Sequence, residues 1–517
     1  MYLEQQKWSR KDRTLLYKSS SHFLQMKSPQ LYYPIMSLYF YIHNTPESHK
    51  CIDFKRNYYL KNITAVNQTF ETNSNSILSG EVYDTTNDML QSKDIFCKCI
   101  PLLDPIHFIL NNYSIYHKRN PLLPSNYLAN TQNKINNIDN MAYIDVFCSY
   151  LFGELVNKDK LPCFAKFYGS VNGLKDLKYD ITDEIDEYAT STEFLRTLDK
   201  SFTLSKISGY DSSSDCSSKS DTSIESIPRS DIGSSVLSYE SDESDDSDES
   251  DESDESDDSD DSLTSGDIIV STLKDCPSIS LFIEKLDGTI DELINESLCM
   301  DEIKSCYFQT AFSLAYLQKH FGFTHNDLHV GNIMYSATDK KYLYYKYNNV
   351  YFKVPTYGKI FKLIDFGRSI INFKGKLFMN DAFSKYGEAQ GQYKYQSSIP
   401  FMRAYKGSDP CLYFDLCRLS ITILDELRER YEETIDNEDD DIVLKYDKLM
   451  EFLKYTTTDK HGTRLDKEPD DFSLYINIAK NAKNSHPRDI INNQFFKDYR
   501  IKKSLYPIKS GYNLSMK

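Results

Sequence analysis

The stretch FTHNDLHVGNIMY, residues 323–335, decides how this chain is read, because it places His325, Asp327, His329 and Asn332 within eight residues. It follows an amphipathic segment, Met300 to His320, whose Ile303, Tyr307, Thr310, Ala311, Leu314 and Leu317 share one helical face. That helix is expected to stop near Gly322, a carboxy-terminal cap. The polar cluster is therefore a loop just beyond a buried helix. Downstream, KKYLYYKYNNVYFKV (340–354) alternates around Asn348 and Asn349 and predicts a β-hairpin, and a third strand, Ile360 to Ile364, runs straight into Asp365-Phe366-Gly367.

Phosphoryl transfer from ATP asks little covalent chemistry of a protein. It needs Mg²⁺ to neutralise the phosphates, hard oxygen ligands to hold the ion, and a carboxylate to orient the attacking hydroxyl. The cluster supplies each part: Asp327 to accept the proton of the hydroxyl, Asn332 and Asp365 to hold the metal, and His325 as a buried hydrogen-bonding strut.

Composition bounds the rest. The chain has 517 residues, long enough for several domains or one two-lobed enzyme with insertions, and its 40% apolar and 14% aromatic content is that of a globular protein. The net charge of −17 is local: SDESDDSDESDESDESDDSDDS, 241–262, holds 14 acids and no base, and leaving these acids out of the sum gives −3. A nearly balanced remainder argues against a general nucleic-acid surface. The 11 cysteines show no metal-binding spacing and are expected to be reduced thiols. No apolar run reaches membrane-spanning length and the amino terminus lacks a signal core, so a soluble, cytoplasmic protein is expected.

Strand-like segments are expected at 63–70, 77–83 and 94–103, a helix at 140–156 with Ile144, Phe147, Cys148, Leu151 and Leu155 on one stripe, and a short strand at 163–168. Residues 185–268 read as a disordered Ser/Asp-rich insert, after which SISLFIEKLDGTIDELI (278–294) is a buried strand turning into a helix. Residues 1–54 form an amino-terminal extension and 506–517 a tail.

HxDLxxxN followed by a strand and IDFG resembles the catalytic and metal loops of the protein-kinase superfamily, in its Ser/Thr branch, with the divergent kinases of large DNA viruses nearest. The resemblance covers roughly 60–430 and implies an α+β, two-lobed fold: a small β-rich lobe (55–184 and 269–290) and a larger, mostly helical lobe (291–505). It implies transfer of the γ-phosphoryl group of ATP to a protein hydroxyl with Mg²⁺. If the source is viral, it would act in the host cytoplasm or the virion. By the same resemblance, Lys98 in DIFCKC would pair the α and β phosphates, and Gly80-Glu81-Val82 would end a glycine-rich phosphate loop in which Asn75 and Ile77 replace earlier glycines. The acid pairing with Lys98 would be Glu154 or Asp145, with Glu154 preferred. The adenine edge would meet the backbone of Glu284 and Leu286, with Ile283 guarding the back pocket, and Asp415 would tie a buried helix to the catalytic loop.

Three departures matter. Asn326 stands where phosphorylation-dependent kinases carry arginine, which implies activity independent of phosphorylation in 368–410. SSIPFMRAYKGSDP (397–410) replaces the usual substrate platform. His329 replaces the usual lysine, a form shared with small-molecule kinases of the aminoglycoside and choline type. A small-molecule kinase is thus the alternative, and a non-catalytic scaffold presenting the acidic tract to a basic partner is a third reading; neither a nucleic-acid nor a membrane partner is expected.

Overall fold

A computed structural model describes residues 5–6, 9–31, 53–113, 131, 134–135, 137–208, 223–227, 229, 267–296, 300–385, 387–394, 410–431, 434–435, 438–467, 472–508 and 510–515. The aromatic patch at 32–42, the acidic run 241–262 and almost all of 397–410 lie outside these residues. Helix α1 (Arg10–Phe23), capped by the Ser9 hydroxyl, leads into strand β1 (Lys27–Gln30). Strands β2 (Tyr58–Thr69), β3 (Ser76–Asp84) and β4 (Met89–Pro101) follow, then helix α2 (Met141–Asn157). The strands β5 (Phe167–Asp180), β6 (Phe202–Ser208), β7 (Ser223–Ile227) and β8 (Ile268–Glu284) complete one sheet in the order β1-β5-β8-β4-β3-β2. The long β8 pairs first with β6 and then with β4 along one edge, while β5 takes the other.

Alternation along these strands sorts the side chains between two faces. Leu60, Ile63, Leu78, Val82, Ile95 and Cys97 pack with Leu16 of α1 and with Leu24, which caps its end. Phe96 and Lys98 therefore point the other way, toward α2. Every residue from Ala142 to Leu155 is buried, as expected of a helix that is apolar nearly all round. The Asn140 side chain caps α2 through Ala142 N–H and donates to Leu102 O at 2.8 Å, fixing the helix start to the end of β4.

Two boundaries drawn from composition are corrected. Residues 185–208 are not part of a coreless insert: helices Ile185–Tyr188 and Thr192–Thr197 and strand β6 bury Ile185, Phe194, Leu198, Phe202 and Leu204, with the Phe194 and Phe202 rings 5.0 Å apart. Nor is 1–54 a mere extension, since α1 covers one face of the sheet and β1 pairs with β5.

Beyond β8 come β9 (Gly288–Thr289), α3 (Ile290–Glu296), α4 (Met300–Phe321), β10 (Ile333–Ala337), the hairpin β11 (Tyr342–Tyr347) and β12 (Val350–Pro355), and β13 (Lys359–Leu363). A second hairpin, β14 (Ile370–Phe373) and β15 (Lys376–Met379), precedes helices α5 (Phe414–Tyr431), α6 (Asp440–Thr456) and α7 (Phe472–Asn481). The class is thus mixed α+β. Gly322 ends α4 with φ +53° and its N–H on Gln318 O, a left-handed cap that glycine adopts at little cost. Strand β10 pairs with β13, which brings the 323–335 loop beside Asp365.

Helix α7 is seated on α5 by Phe414, Cys417, Ile421, Leu474 and Ile478. Below them the buried Asp466 accepts from Arg464, from Arg428 at 2.6 Å and from Thr457 at 3.1 Å. Burial raises this carboxyl, but the two guanidiniums outweigh it and hold it at about 2. Its folded-state pKa is depressed, so its stabilisation is present above the unfolded value near 4 and fades as pH falls toward 2. Asp466→Asn is expected to cost about 1–3 kcal/mol at pH 7, checked by urea denaturation, and less at pH 3.

Candidate active site

A cavity of about 420 Å³ opens between the α2-facing side of the sheet and the ends of β10 and β13. Its roof carries Ile77, Phe96 and Lys98, its back Ile283, and its floor Met334, Leu363 and Asp365. The connection 284–288 closes one side. Leu286 there makes no backbone hydrogen bond to another described residue, whereas the Glu284 carboxylate is held by Lys362 at 2.7 Å and by Lys166 N–H at 3.1 Å. An edge with a free peptide beside an apolar slot suits a flat heterocycle.

Lys98 is the electrostatic centre of the cavity. Its Nζ lies 2.7 Å from Asp145 and 2.8 Å from Asp365. Burial pulls the ammonium's pKa down, but the two carboxylates outweigh it and raise it. Burial likewise raises Asp365, yet Lys98, with His325 and the Gly367 N–H, holds it at about 2. Asp145 goes the other way: burial keeps its carboxyl above the usual range despite Lys98, and Asp365 adds to the rise. Its second oxygen accepts the Phe366 N–H at 3.1 Å, so one acid fixes both the lysine and the segment after Asp365.

This corrects the preference for Glu154, which is bound instead to Asn157 and Lys158 near the carboxy-terminal end of α2. Gly80 and Val82 are corrected too, since neither lines the cavity. Both face α1, and a Cβ on Gly80 would lie 2.8 Å from Ile95 and Leu60, so this glycine makes room for packing. The turn 70–75, between β2 and β3, is what overhangs Lys98. It is pinned to β5, with Lys178 N–H on Ser74 Oγ at 2.7 Å and the Lys178 ammonium on Glu71 at 2.6 Å. Gly80→Val is accordingly expected to lower stability by about 1–3 kcal/mol through overpacking, read by thermal denaturation.

The loop 323–335 is tied down from beneath. His325 and Asn326 both donate their backbone N–H groups to Asp415 on α5, at 2.9–3.1 Å. Asn326 has φ +64°, a strained conformation held by these bonds, and Asp365 has φ +58°, beside the Phe366 N–H bond to Asp145. His325 is fully buried; its Nε2 bonds Ile364 O at 2.9 Å, so that nitrogen carries the proton. Its ring sits 5.6 Å from Phe366, which meets Phe152 of α2 edge-on at 4.9 Å. The Asn326 side chain donates to Arg368 O and accepts from the buried Tyr393 hydroxyl.

Asn332 spends its amide nitrogen on Asp327 O and His329 Nε2, both at 2.8 Å. Its oxygen is left, and oxygen is what a hard cation takes. Among the described residues no group of three or more His, Cys, Asp and Glu side chains forms a metal site. A single carboxylate and an amide oxygen fit Mg²⁺, which takes few protein ligands and completes its shell with phosphate and water. The carboxylate of Asp327, about a quarter exposed, receives the Tyr475 hydroxyl at 3.0 Å and lies 3.6 Å from Arg368. Neither Tyr475 nor Arg368 was singled out from sequence: Arg368 follows Gly367 directly, and Tyr475 sits on α7, which carries no motif.

Comparison with known proteins relates part of the chain to kinases. It is 42% identical over 83 residues to a probable serine/threonine-protein kinase of Dictyostelium discoideum, a match covering 15% of this chain and 7% of that protein. Over 75 residues it is 41% identical to a protein of Acanthamoeba polyphaga mimivirus whose name provisionally assigns it to the same class, covering 14% of this chain and 19% of the relative. No family model matches. Among the described residues no helix is long and apolar enough to cross a membrane.

Proposed function

We propose that the chain is a two-lobed, Mg²⁺-dependent phosphotransferase that moves the γ-phosphoryl group of ATP to serine or threonine hydroxyls of proteins. The observation that carries this reading is the bridge from Asp145 through Lys98 to Asp365 in one cavity, with the loop of Asp327 and Asn332 joined to the strand that ends at Asp365 by the Ile364 N–H on Asn332 O at 3.1 Å. The two short kinase matches support it independently.

In this reading Lys98, fixed by Asp145, lies against the α and β phosphates, and Leu286 offers its peptide to the adenine edge. Asn332 Oδ1 and Asp365 would hold Mg²⁺, which when bound neutralises phosphate charge. Asp327 orients the acceptor hydroxyl and takes its proton. His325 and Asp415 keep that loop in place, and Phe366, packed against Phe152, keeps Asp365 turned to Lys98. Most of the gain is positioning and electrostatics rather than covalent chemistry.

A small-molecule acceptor is the second reading, favoured by His329, whose ring is turned to Asn332 and leaves no lysine beside Asp327. Transfer of radiolabelled γ-phosphate to a panel of basic proteins, casein and amino-alcohols separates the two. Label on protein is expected; label confined to small acceptors would replace the first reading with the second, and no label on anything would favour the scaffold. Deleting 241–262 is expected to leave transfer intact if the tract is a spacer.

A further inference from the structure

Catalysis in this site needs more than a carboxylate: the acid must present one oxygen to the acceptor and hold the other still. His329 does not do the holding: its Nε2 accepts from the Asn332 amide at 2.8 Å, and among the described residues no hydrogen bond joins its ring to the Asp327 carboxylate. The contacts that reach Asp327 come from elsewhere. Tyr475 Oη donates to Asp327 Oδ1 at 3.0 Å across a separation of 148 residues, and Arg368 Nη1 lies 3.6 Å from the same oxygen. Asp327 Oδ2 makes no hydrogen bond to another described residue. The phenol is itself clamped: the Arg368 guanidinium lies 5.5 Å and that of Arg418 5.2 Å from its ring centre, and Arg418 Nε donates to Oη at 3.4 Å. Burial, with Asp327 nearby, raises the phenol above its ordinary value, so it remains a donor at neutral pH.

We propose that Tyr475 is the positioning residue for Asp327, with Arg368 as its charged partner: together they immobilise Oδ1 and leave Oδ2 to receive the acceptor's proton. The step balances simply. The acceptor O–H proton passes to Oδ2, the acceptor oxygen bonds to the γ-phosphorus, and the bond from that phosphorus to the β-bridging oxygen breaks as ADP leaves. Helix α7, seated on α5 through Leu474 and Ile478, thereby becomes part of the active site, and the acceptor enters on the side of Asp327 away from it.

This assignment rests on the phosphotransferase reading, and one set of measurements keeps the two apart. Tyr475→Phe retains the ring between the guanidiniums and removes only the hydroxyl, so it should stay folded, with a melting temperature lowered by a few degrees at most. Its kcat is expected to fall about 10- to 100-fold, the worth of one hydrogen bond to a charged group, with KM for ATP unchanged. Arg368→Met is expected to lower kcat as well, and Arg368→Lys to recover part of the loss; a merely structural role would give no such split or rescue. Unchanged kcat in Tyr475→Phe, a rise in kcat/KM for the acceptor, or label recovered on Tyr475 itself would each overturn the proposal, the last two by showing the phenol in the acceptor's own place. If folded wild type transfers nothing to any acceptor, the phosphotransferase reading falls and takes this assignment with it.

Discussion

Asp327→Asn is expected to lower phosphoryl transfer by about 10²–10⁴-fold, the usual worth of a positioned general base, with ATP affinity retained. The substitution is nearly isosteric. The amide oxygen it introduces could still accept the Tyr475 hydroxyl, so the loop held by Asp415 should keep its shape. What disappears is an oxygen able to take a proton. Single-turnover kinetics at saturating ATP measure this directly. A loss confined to KM would show that the residue binds substrate rather than assisting the chemical step.

The second large effect separates two acids of one helix. Asp145→Ala is expected to cost about 10²-fold in kcat/KM, because Lys98 loses the partner that aims it and Phe366 loses the acceptor for its N–H. Glu154→Ala should leave turnover within about twofold, since an Asn157 amide and a half-exposed Lys158 are its partners and neither touches the cavity. Steady-state kinetics on both variants check the contrast. Equal losses would mean that the effect travels through the stability of α2 and not through the ion pair.

Much of the fold was legible because its periods are clean. The stretch 340–354 alternates with period two, and 300–320 carries one apolar stripe ending in glycine, so the corresponding strands and helix lie where the pattern places them. That the 323–335 loop lies beside Asp365 was legible because the two flank one local run of strands. The choice between Asp145 and Glu154 was not, since α2 is buried on every side and a stripe on such a helix does not mark the face that meets the sheet. Gly80 misled because a glycine serves two purposes, backbone freedom and close packing, and only the pairing of β3 with β4 shows it on the face of Leu78 and Val82. Residues 185–208 were obscured by serine and aspartate around a sparse set of buried apolar residues. Tyr475 reaches Asp327 only through the packing of α7 on α5, a tertiary fact with no local signature.

That the Lys98–Asp145–Asp365 cluster is a nucleotide and metal site is tested most directly by calorimetric titration of the full chain with ATP, with and without Mg²⁺, in wild type and Asp365→Ala. Wild type should bind ATP more tightly when Mg²⁺ is present, and Asp365→Ala should lose that dependence while remaining folded. ATP binding that is absent, or equally Mg²⁺-dependent in both proteins, would contradict it.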